Sequence, residues 1–220
     1  MTSGAARIVL RPLGNPLPLG FLALAGGTLL MSGLQLGWLR PADGADVALI
    51  LIAFVFPLQL LASVLGYLAR DVVAGTGMGI LAGTWLSIGV VQLTSPSGST
   101  SDALGLFLLL AGTAMLVPAA AAVSGKLVPA ALLATTAVRF STTGIYQLSA
   151  SGTWEDLAGL VGLVLCALAL YTALAMALED ARRAPILPLG RTGSGGESLG
   201  GDFAQQVERI EREAGVREQL

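Results

Sequence analysis

Charged side chains are strongly segregated along this chain of 220 residues. All fourteen aspartates and glutamates lie near the ends of long apolar stretches, in the connections between them, or in the C-terminal part of the chain. Only 12% of the residues are charged, whereas 54% are hydrophobic, so polar groups could not cover a surface that faces water. The sequence therefore predicts an all-α membrane protein rather than a soluble enzyme.

Six apolar stretches are long enough to cross a bilayer, for which an α-helix needs about 20 residues. They cover residues 17–38, 46–69, 72–94, 103–123, 127–148 and 155–178. The fifth stretch contains Arg139 and several hydroxyl side chains, so hydropathy alone leaves a five-span alternative open. The connections are short, which predicts one compact bundle of six transmembrane helices.

Basic residues in the connections favour six spans over five. With six, seven basic residues share the side of both termini: Arg7, Arg11, Arg70, Lys126, Arg182, Arg183 and Arg191. Arg40 alone falls on the other side. The positive-inside rule then predicts a multi-pass protein of the cell (inner or plasma) membrane with both termini in the cytoplasm.

Three regions follow from this pattern. Residues 1–14 form a cytoplasmic N-terminal segment, residues 15–180 form the six-helix transmembrane domain, and residues 181–220 form a cytoplasmic tail. Within the tail, residues 187–201 have the composition of a flexible linker. A short amphipathic helix is predicted beyond it, because apolar residues recur at helical spacing, although a loosely ordered tail is an equal alternative. These apolar residues are Phe203, Val207, Ile210 and Ala214.

Several kinds of chemistry are not expected. The chain has no histidine, and its single cysteine, Cys166, lies inside an apolar stretch. The usual zinc sites, imidazole bases and an intramolecular disulfide are therefore excluded, and the spans contain no paired carboxylates. We expect no catalytic residue, no metal, no cofactor and no nucleic-acid partner.

Arg139 is the most informative single residue. An arginine near the centre of a span costs about 2.5–3.5 kcal/mol on insertion scales, and no carboxylate within the spans is available to neutralise it. Thr136, Thr143, and Tyr146 or Gln147 follow at intervals of three or four residues, so they share its helix face. This face predicts an anion path. The alternative is that Arg139 extends to the interface or donates to backbone carbonyls at broken helix ends, with the hydroxyl side chains bonding within their own helix.

Two further polar residues are candidates for the path. Asn15 precedes Pro16 and Pro18 at the start of the first span, where it would cap the helix. If the prolines keep that first turn open inside the bundle, free amides there would attract an anion. Gln59 lies deep in the second span, and it requires either a partner on another helix or a wet pore.

The opening NPLPLG, followed by a glycine-rich apolar run, resembles the NPAPLG-type opening of the acetate uptake transporter family, the YaaH/SatP-like membrane proteins. Other matches follow in the family's order, over about residues 15–190. They are Gln59 with Tyr67, the run 83–87 (GTWLS), the run 158–163 (AGLVGL) with Tyr171, and the closing run 187–190 (LPLG).

The resemblance implies six helices per protomer, a homohexamer, and a path through each protomer for acetate or related small monocarboxylates. It also implies succinate as a substrate of some members, and either proton-coupled symport or an anion channel as the mechanism. By position, the narrow part of the path would fall at Leu24, at Leu81 or Ala82, and near Thr136.

This chain departs from the family pattern at several of these positions. The family commonly has phenylalanine and tyrosine at the first two narrowing positions, and it has glutamates where this chain has Gly66 and Met176. Arg139 replaces a residue that is usually apolar. These departures imply a wider or more polar path with no evident carboxylate to carry a proton.

We therefore predict a membrane transporter or channel for small monocarboxylates. Its expected partners are a small carboxylate anion, the lipid bilayer and further copies of itself in a hexamer. Two alternatives remain: a pore for a small neutral solute such as ammonia, and a non-transporting membrane scaffold whose tail binds a partner.

Overall fold

The computed structural model describes residues 13–182 and 184–192, and this part of the chain folds into helices without a β-strand. The helices are α1 Leu17–Gln35, α2 Gly44–Ile50, α3 Phe56–Leu68, α4 Val72–Thr94, α5 Asp102–Ala122, α6 Leu127–Ser149 and α7 Gly152–Arg182. A 3-10 turn, Pro41–Asp43, precedes α2, and a π-helical turn, Leu51–Val55, joins α2 to α3. The stretch Pro41–Leu68 is therefore one crossing, and the helices make six crossings in all, as predicted.

The crossings alternate in direction. Residues at one end of five crossings line a common cavity: Leu17, Asp71, Ala122, Lys126 and Met176. Residues at the opposite end line a second one: Gln35, Gly44, Gln92, Ser101, Gln147 and Glu155. We call the first the terminal end of the bundle, because the helical domain begins and ends there, and the second the far end.

Five helical stretches of the described residues are long and apolar enough to cross a membrane. They are Leu17–Gln35, Pro41–Leu68, Val72–Thr94, Asp102–Ala122 and Gly152–Arg182. The predicted boundaries differ from the observed ones by a few residues at the ends of the first, second and sixth crossings. Backbone hydrogen bonding in α7, for example, continues beyond the apolar stretch at both ends, to give 31 residues.

Helix α6 is the crossing that hydropathy alone does not identify. Its 23 residues span about 35 Å, which is enough to cross the hydrocarbon layer. Its polar residues Thr136, Arg139 and Thr143 are buried, whereas Leu127 and Val138 are exposed on the outside. The helix is thus polar toward the bundle and apolar toward the surroundings, which explains its weak hydropathy and supports its place as the fifth crossing.

Close backbone contact holds α5 and α6 together. A Cβ atom at Gly112 would lie 2.9 Å from the Ala137 carbonyl oxygen, and one at Gly144 would lie 2.9 Å from the Gly105 carbonyl oxygen. Distances below 3.0 Å leave no space for a side chain. Helices in lipid associate through this kind of contact, because burial of apolar surface supplies little driving force there.

Residues 187–192 pack across the turn between α5 and α6, and we call them the C-terminal strap. The Leu127 amide donates to the Gly190 carbonyl at 2.8 Å, and the Val128 amide donates to the Leu189 carbonyl at 3.1 Å. These amides belong to the first turn of α6, where an α-helix supplies no acceptors of its own. The predicted linker is therefore corrected: residues 187–192 are bound to the bundle, because their carbonyls cap α6. The predicted amphipathic helix lies outside the described residues.

Candidate solute path

The far cavity has a volume of about 230 Å³ and a mixed polar and apolar lining. Gln35 of α1, Gln92 of α4, Thr143 and Tyr146 of α6, and Glu155 of α7 contribute polar side chains. The Tyr146 hydroxyl interacts with the Glu155 carboxylate. Both amide atoms of Gln35 are buried and have no hydrogen-bond partner within the described part of the chain. This end of the bundle therefore offers a polar entrance.

The terminal cavity is larger, about 320 Å³, and mostly apolar. Phe21 and Met78 are buried at its inner limit, and Met176 closes it on the side of α7. Lys126 and Asp71 also line it, and both lie at helix ends rather than within the crossings.

A buried layer separates the two cavities. In α1, Leu24 lies between Phe21, which lines the terminal cavity, and Met31, which lines the far cavity. In α4, Leu81 and Ala82 occupy the same intermediate position between Met78 and Ile88. These residues and Thr136 of α6 are 0–1% exposed. The residues at the three positions that the resemblance assigned to the narrow part of the path therefore lie in or beside this layer.

Two aromatic rings complete the layer on the side of the far cavity. Trp85 of α4 and Phe140 of α6 pack edge to face, with ring centroids 6.2 Å apart and an interplanar angle of 74°. Both side chains are almost fully buried. The layer is thus buried and closely packed, so a solute must displace side chains in order to cross it.

Arg139 lies inside the bundle, next to the floor of the far cavity. Its side chain is 2% exposed, and its Nη1 donates to Thr143 Oγ1 at 2.8 Å. Thr143 lines the far cavity, one helical turn away. Among the described residues, no carboxylate and no backbone carbonyl accepts a hydrogen bond from the guanidinium, and its Nε has no partner. Arg139 therefore neither extends to the interface nor donates to backbone carbonyls, whereas the hydroxyls of Thr136 and Thr143 do bond within their own helix, as the alternative reading expected.

Gly162 of α7 lets the guanidinium approach. A Cβ atom at this position would collide with Ser32 Oγ of α1 and would lie 2.8 Å from Arg139 Nε. Ser32 Oγ is buried and, like Arg139 Nε, has no partner among the described residues. Two unsatisfied polar atoms from α1 and α6 thus meet against the backbone of α7. Buried groups of this kind are accounted for by a bound water or ion, by strain or by a functional role.

A family model described as the GPR1/FUN34/yaaH family matches residues 1–188. The chain belongs to this family. The match covers most of the sequence and confirms the resemblance found in the NPLPLG opening and the segments that follow it. No curated protein matches the chain.

The fold agrees with this membership in the GPR1/FUN34/yaaH family. A solved structure titled "Structure of the bacterial acetate channel SatP" superposes with a TM-score of 0.72. The match covers 81% of this chain and 99% of that one, at 24% sequence identity. At this identity the similarity establishes the fold of a membrane protein, and it does not by itself establish the solute.

Not all of the residues proposed from sequence for this family member's path lie near a cavity. Asn15 is exposed and precedes the N-cap residue of α1, Pro16, and its Oδ1 accepts a hydrogen bond from the Leu17 amide at 3.1 Å. Gln59 is fully buried, and its Nε2 donates to the Gly20 carbonyl at 3.3 Å. Neither residue lines either of the two cavities. The glutamine has therefore found its partner on another helix, which was one of the two options for it.

Thr136 and Tyr146 also differ from each other in what they offer a solute. The Thr136 hydroxyl donates to the Leu132 carbonyl at 2.9 Å, so its proton is used within its own helix. Tyr146 lines the far cavity, and its hydroxyl faces Glu155. Gln147, the alternative to Tyr146 on this helix face, accepts a hydrogen bond from the Ser101 amide at 2.7 Å.

Sequence reasoning missed three charged residues that line the cavities of this family member, Asp71, Lys126 and Glu155. Lys126 was used only as a loop charge that reports membrane orientation, and Glu155 only as the end of a span. Their positions at helix ends gave the sole signal, and that signal does not distinguish a cavity wall from a solvated surface. Their role in lining the cavities depends on the neighbouring helices.

Proposed function

We propose that this chain is a transporter or channel that moves small monocarboxylate anions such as acetate across the cell membrane. Membership in the GPR1/FUN34/yaaH family and a fold similar to that of the acetate channel SatP support this proposal. One observation carries it: two cavities at opposite ends of the bundle are separated by a single buried layer, with an unneutralised Arg139 beside that layer.

The cavity volumes suit a small solute. Volumes of about 230 and 320 Å³ can accept a carboxylate of two to four carbons with some water, but they are small for a large metabolite. The solute would pass from one cavity to the other when Leu24, Leu81 and Thr136 move apart. The arrangement is that of a path with one gate in the middle.

Arg139 supplies the selectivity in this proposal. A guanidinium in a low-dielectric interior repels cations and favours anions, because a bound anion replaces the missing countercharge. Its hydrogen bond to Thr143 directs it toward the far cavity. A single positive charge matches a monocarboxylate better than the dianion of succinate.

Proton coupling is not part of the proposed mechanism. In the described residues, no aspartate or glutamate lies in the layer between the cavities, and Gly66 and Met176 occupy the positions of the family's glutamates. Glu155 lines the far cavity but lies at the start of α7, outside the layer. The anion would therefore move down its electrochemical gradient without a carboxylate relay across the centre.

The proposed orientation places the terminal end in the cytoplasm, because seven of the basic residues outside the spans lie on that side. The proposed assembly is a homohexamer, which the family resemblance implies. Exposed apolar side chains on the outer faces of the helices provide contact surfaces for lipid or for neighbouring protomers. Leu106, Leu110, Val117 and Val164 are among them.

Reconstitution into proteoliposomes tests the proposal. Labelled acetate, propionate, lactate and succinate are offered separately, and the membrane current is recorded with each. We expect saturable acetate and propionate uptake that generates current of the sign of a moving anion. Uptake of ammonia without current, together with no carboxylate uptake, would instead favour the pore for a neutral solute, and the apolar layer of Leu24 and Leu81 is compatible with that alternative.

A further inference from the structure

The second positive group in a cavity is Lys126, at the opposite side of the buried layer from the far cavity. It lies in the turn between α5 and α6, is half-buried, and lines the terminal cavity. Its backbone is held from both directions, since its amide donates to the Ala122 carbonyl at 2.9 Å and its carbonyl accepts from the Ala130 amide at 3.2 Å. The C-terminal strap fixes the next two residues. The lysine is therefore attached to a well-defined backbone.

Two carboxylates lie near Lys126 and attract it electrostatically, and one of them, Asp71, lines the same cavity, but each also has another partner. Asp71, Glu179 and Arg191 are the charged groups of the described residues that interact with it electrostatically. Glu179 forms an ion pair with Arg191, and Asp71 caps α4 by accepting a hydrogen bond from the Ala74 amide at 2.8 Å. Lys126 makes no ion pair with a described residue, and the nearby Arg191 adds a like charge.

The first turns of α6 and α1 offer few free amides to the terminal cavity. The first amides of α6 donate to carbonyls of the C-terminal strap, and Pro129 has no amide proton to offer. At the start of α1, the Leu17 amide donates its hydrogen bond to Asn15 Oδ1, and Pro18 has no amide proton. Lys126 is the one basic side chain among the described residues that line this cavity, so its ammonium is the group that we consider for binding an anion.

We propose that Lys126 forms a second anion-binding site, in the terminal cavity, where the transported carboxylate binds on the opposite side of the layer from Arg139. The inference rests on the proposed transport of small carboxylates. The ammonium would bind the carboxylate group, and Phe21 and Met78 would contact the alkyl part. One cationic site on each side of the gate would then receive the anion, so that neither cavity holds it without a countercharge.

The protonation state of this site provides a specific test. Burial, followed by the charge of Arg191, lowers the pKa of Lys126 below its usual value of 10.5. The ammonium is charged below its pKa, so anion binding is strongest at neutral pH and is lost as the pH rises through the lowered pKa. A small carboxylate stays ionised throughout this range. The decline in binding would therefore reflect deprotonation of Lys126 and not a change in the solute.

Sided flux measurements on the full chain test the proposal. Labelled acetate flux is measured in right-side-out and inside-out vesicles, with the face that carries the termini identified by protease access to a C-terminal tag. For Lys126→Gln we expect the half-saturating concentration at the terminal side to rise roughly fivefold, the size expected of a partly exposed charge contact. The value at the far side should stay unchanged. Lys126→Arg should restore the affinity and abolish its decline in alkaline buffer.

Arg40→Gln is the matched control, because it removes one positive charge at the far end from an exposed residue paired with Asp43 at 2.8 Å. It should leave the terminal side unchanged. Equal changes at both sides for Lys126→Gln, no change at either, or an alkaline decline that persists in Lys126→Arg would each overturn the second site while leaving carboxylate transport intact. Absence of carboxylate flux in the unaltered protein would refute both proposals.

Discussion

Arg139 and Thr143 are joined by two hydrogen bonds on one turn of α6. The guanidinium Nη1 donates to Thr143 Oγ1 at 2.8 Å, and the same hydroxyl donates to the Arg139 carbonyl at 2.9 Å. The arginine is thereby held beside the floor of the far cavity, and its charge is not neutralised by any described residue. A buried charge without a countercharge lowers the stability of the bundle, so a purely structural role would not explain the presence of this arginine.

Replacement of the arginine tests whether that cost is linked to transport. For Arg139→Leu we expect acetate uptake in proteoliposomes to fall about 100-fold, because a buried charge contact to the anion is lost. Thermal stability in detergent should be unchanged or higher, because an unpaired buried charge is removed. Arg139→Lys should retain part of the uptake. Unchanged labelled acetate uptake by Arg139→Leu would contradict the assigned role.

Gly162 provides a test that leaves the arginine in place. In Gly162→Ala, the new Cβ would meet Ser32 Oγ and Arg139 Nε, so the guanidinium must shift. We expect reduced acetate uptake and a loss of about 1–3 kcal/mol in the free energy of unfolding. Gly83→Ala is the control, because a Cβ there meets no atom within 4 Å. If both alanine variants transport acetate equally well, the close contact at Gly162 does not matter for function.

The C-terminal strap and the tail beyond it are expected to have separate effects. A chain that stops after residue 194 keeps the strap, so acetate transport and stability should both be preserved. A chain that stops after residue 186 loses the acceptors of two α6 amides, the buried Leu189 side chain, and the acceptor of the Tyr171 hydroxyl, the Pro188 carbonyl at 2.8 Å.

The chain that stops after residue 186 should have a free energy of unfolding lower by about 2–4 kcal/mol. Each lost hydrogen bond contributes about 0.5–1.5 kcal/mol, and the loss of a buried leucine adds to this. Thermal unfolding of the two purified proteins makes the comparison. No transport by the full chain, together with loss of a co-purifying partner from the chain that stops after residue 194, would favour the scaffold alternative, in which the tail binds a partner.

The buried layer should control the size of the solute. Leu24 is fully buried between the cavities, so Leu24→Ala removes volume there and Leu24→Phe adds it. We expect the ratio of propionate to acetate uptake to rise in the alanine variant and to fall in the phenylalanine variant. Ala25→Ser, a change of one atom at the neighbouring position, serves as a control. A ratio that is the same in all three variants would place the gate elsewhere.

The crossings themselves were predictable because they follow from local properties of the chain. An apolar stretch of about 20 residues has few alternatives to a membrane helix, whatever its neighbours are. The predicted stretch 72–94 agrees with α4 at both ends, and 127–148 agrees with α6 to within one residue. The hydropathy of α6 was ambiguous, but the charges in the loops still predicted that it crosses the membrane. These charges indicate membrane orientation independently of the composition of the helix.

Packing between distant segments decided the rest. Lys126 and Glu155 look like solvated loop residues in the sequence, and 187–190 looks like the start of a linker. In the structure, Lys126 and Glu155 line cavities and the strap caps α6, because residues far apart in the chain close around them. Sequence alone determined that Arg139 is a charge inside a membrane helix. Only the tertiary structure determined that its neighbours are Thr143, Ser32 and Gly162 rather than a carboxylate, since the identity of a buried neighbour depends on how the helices pack.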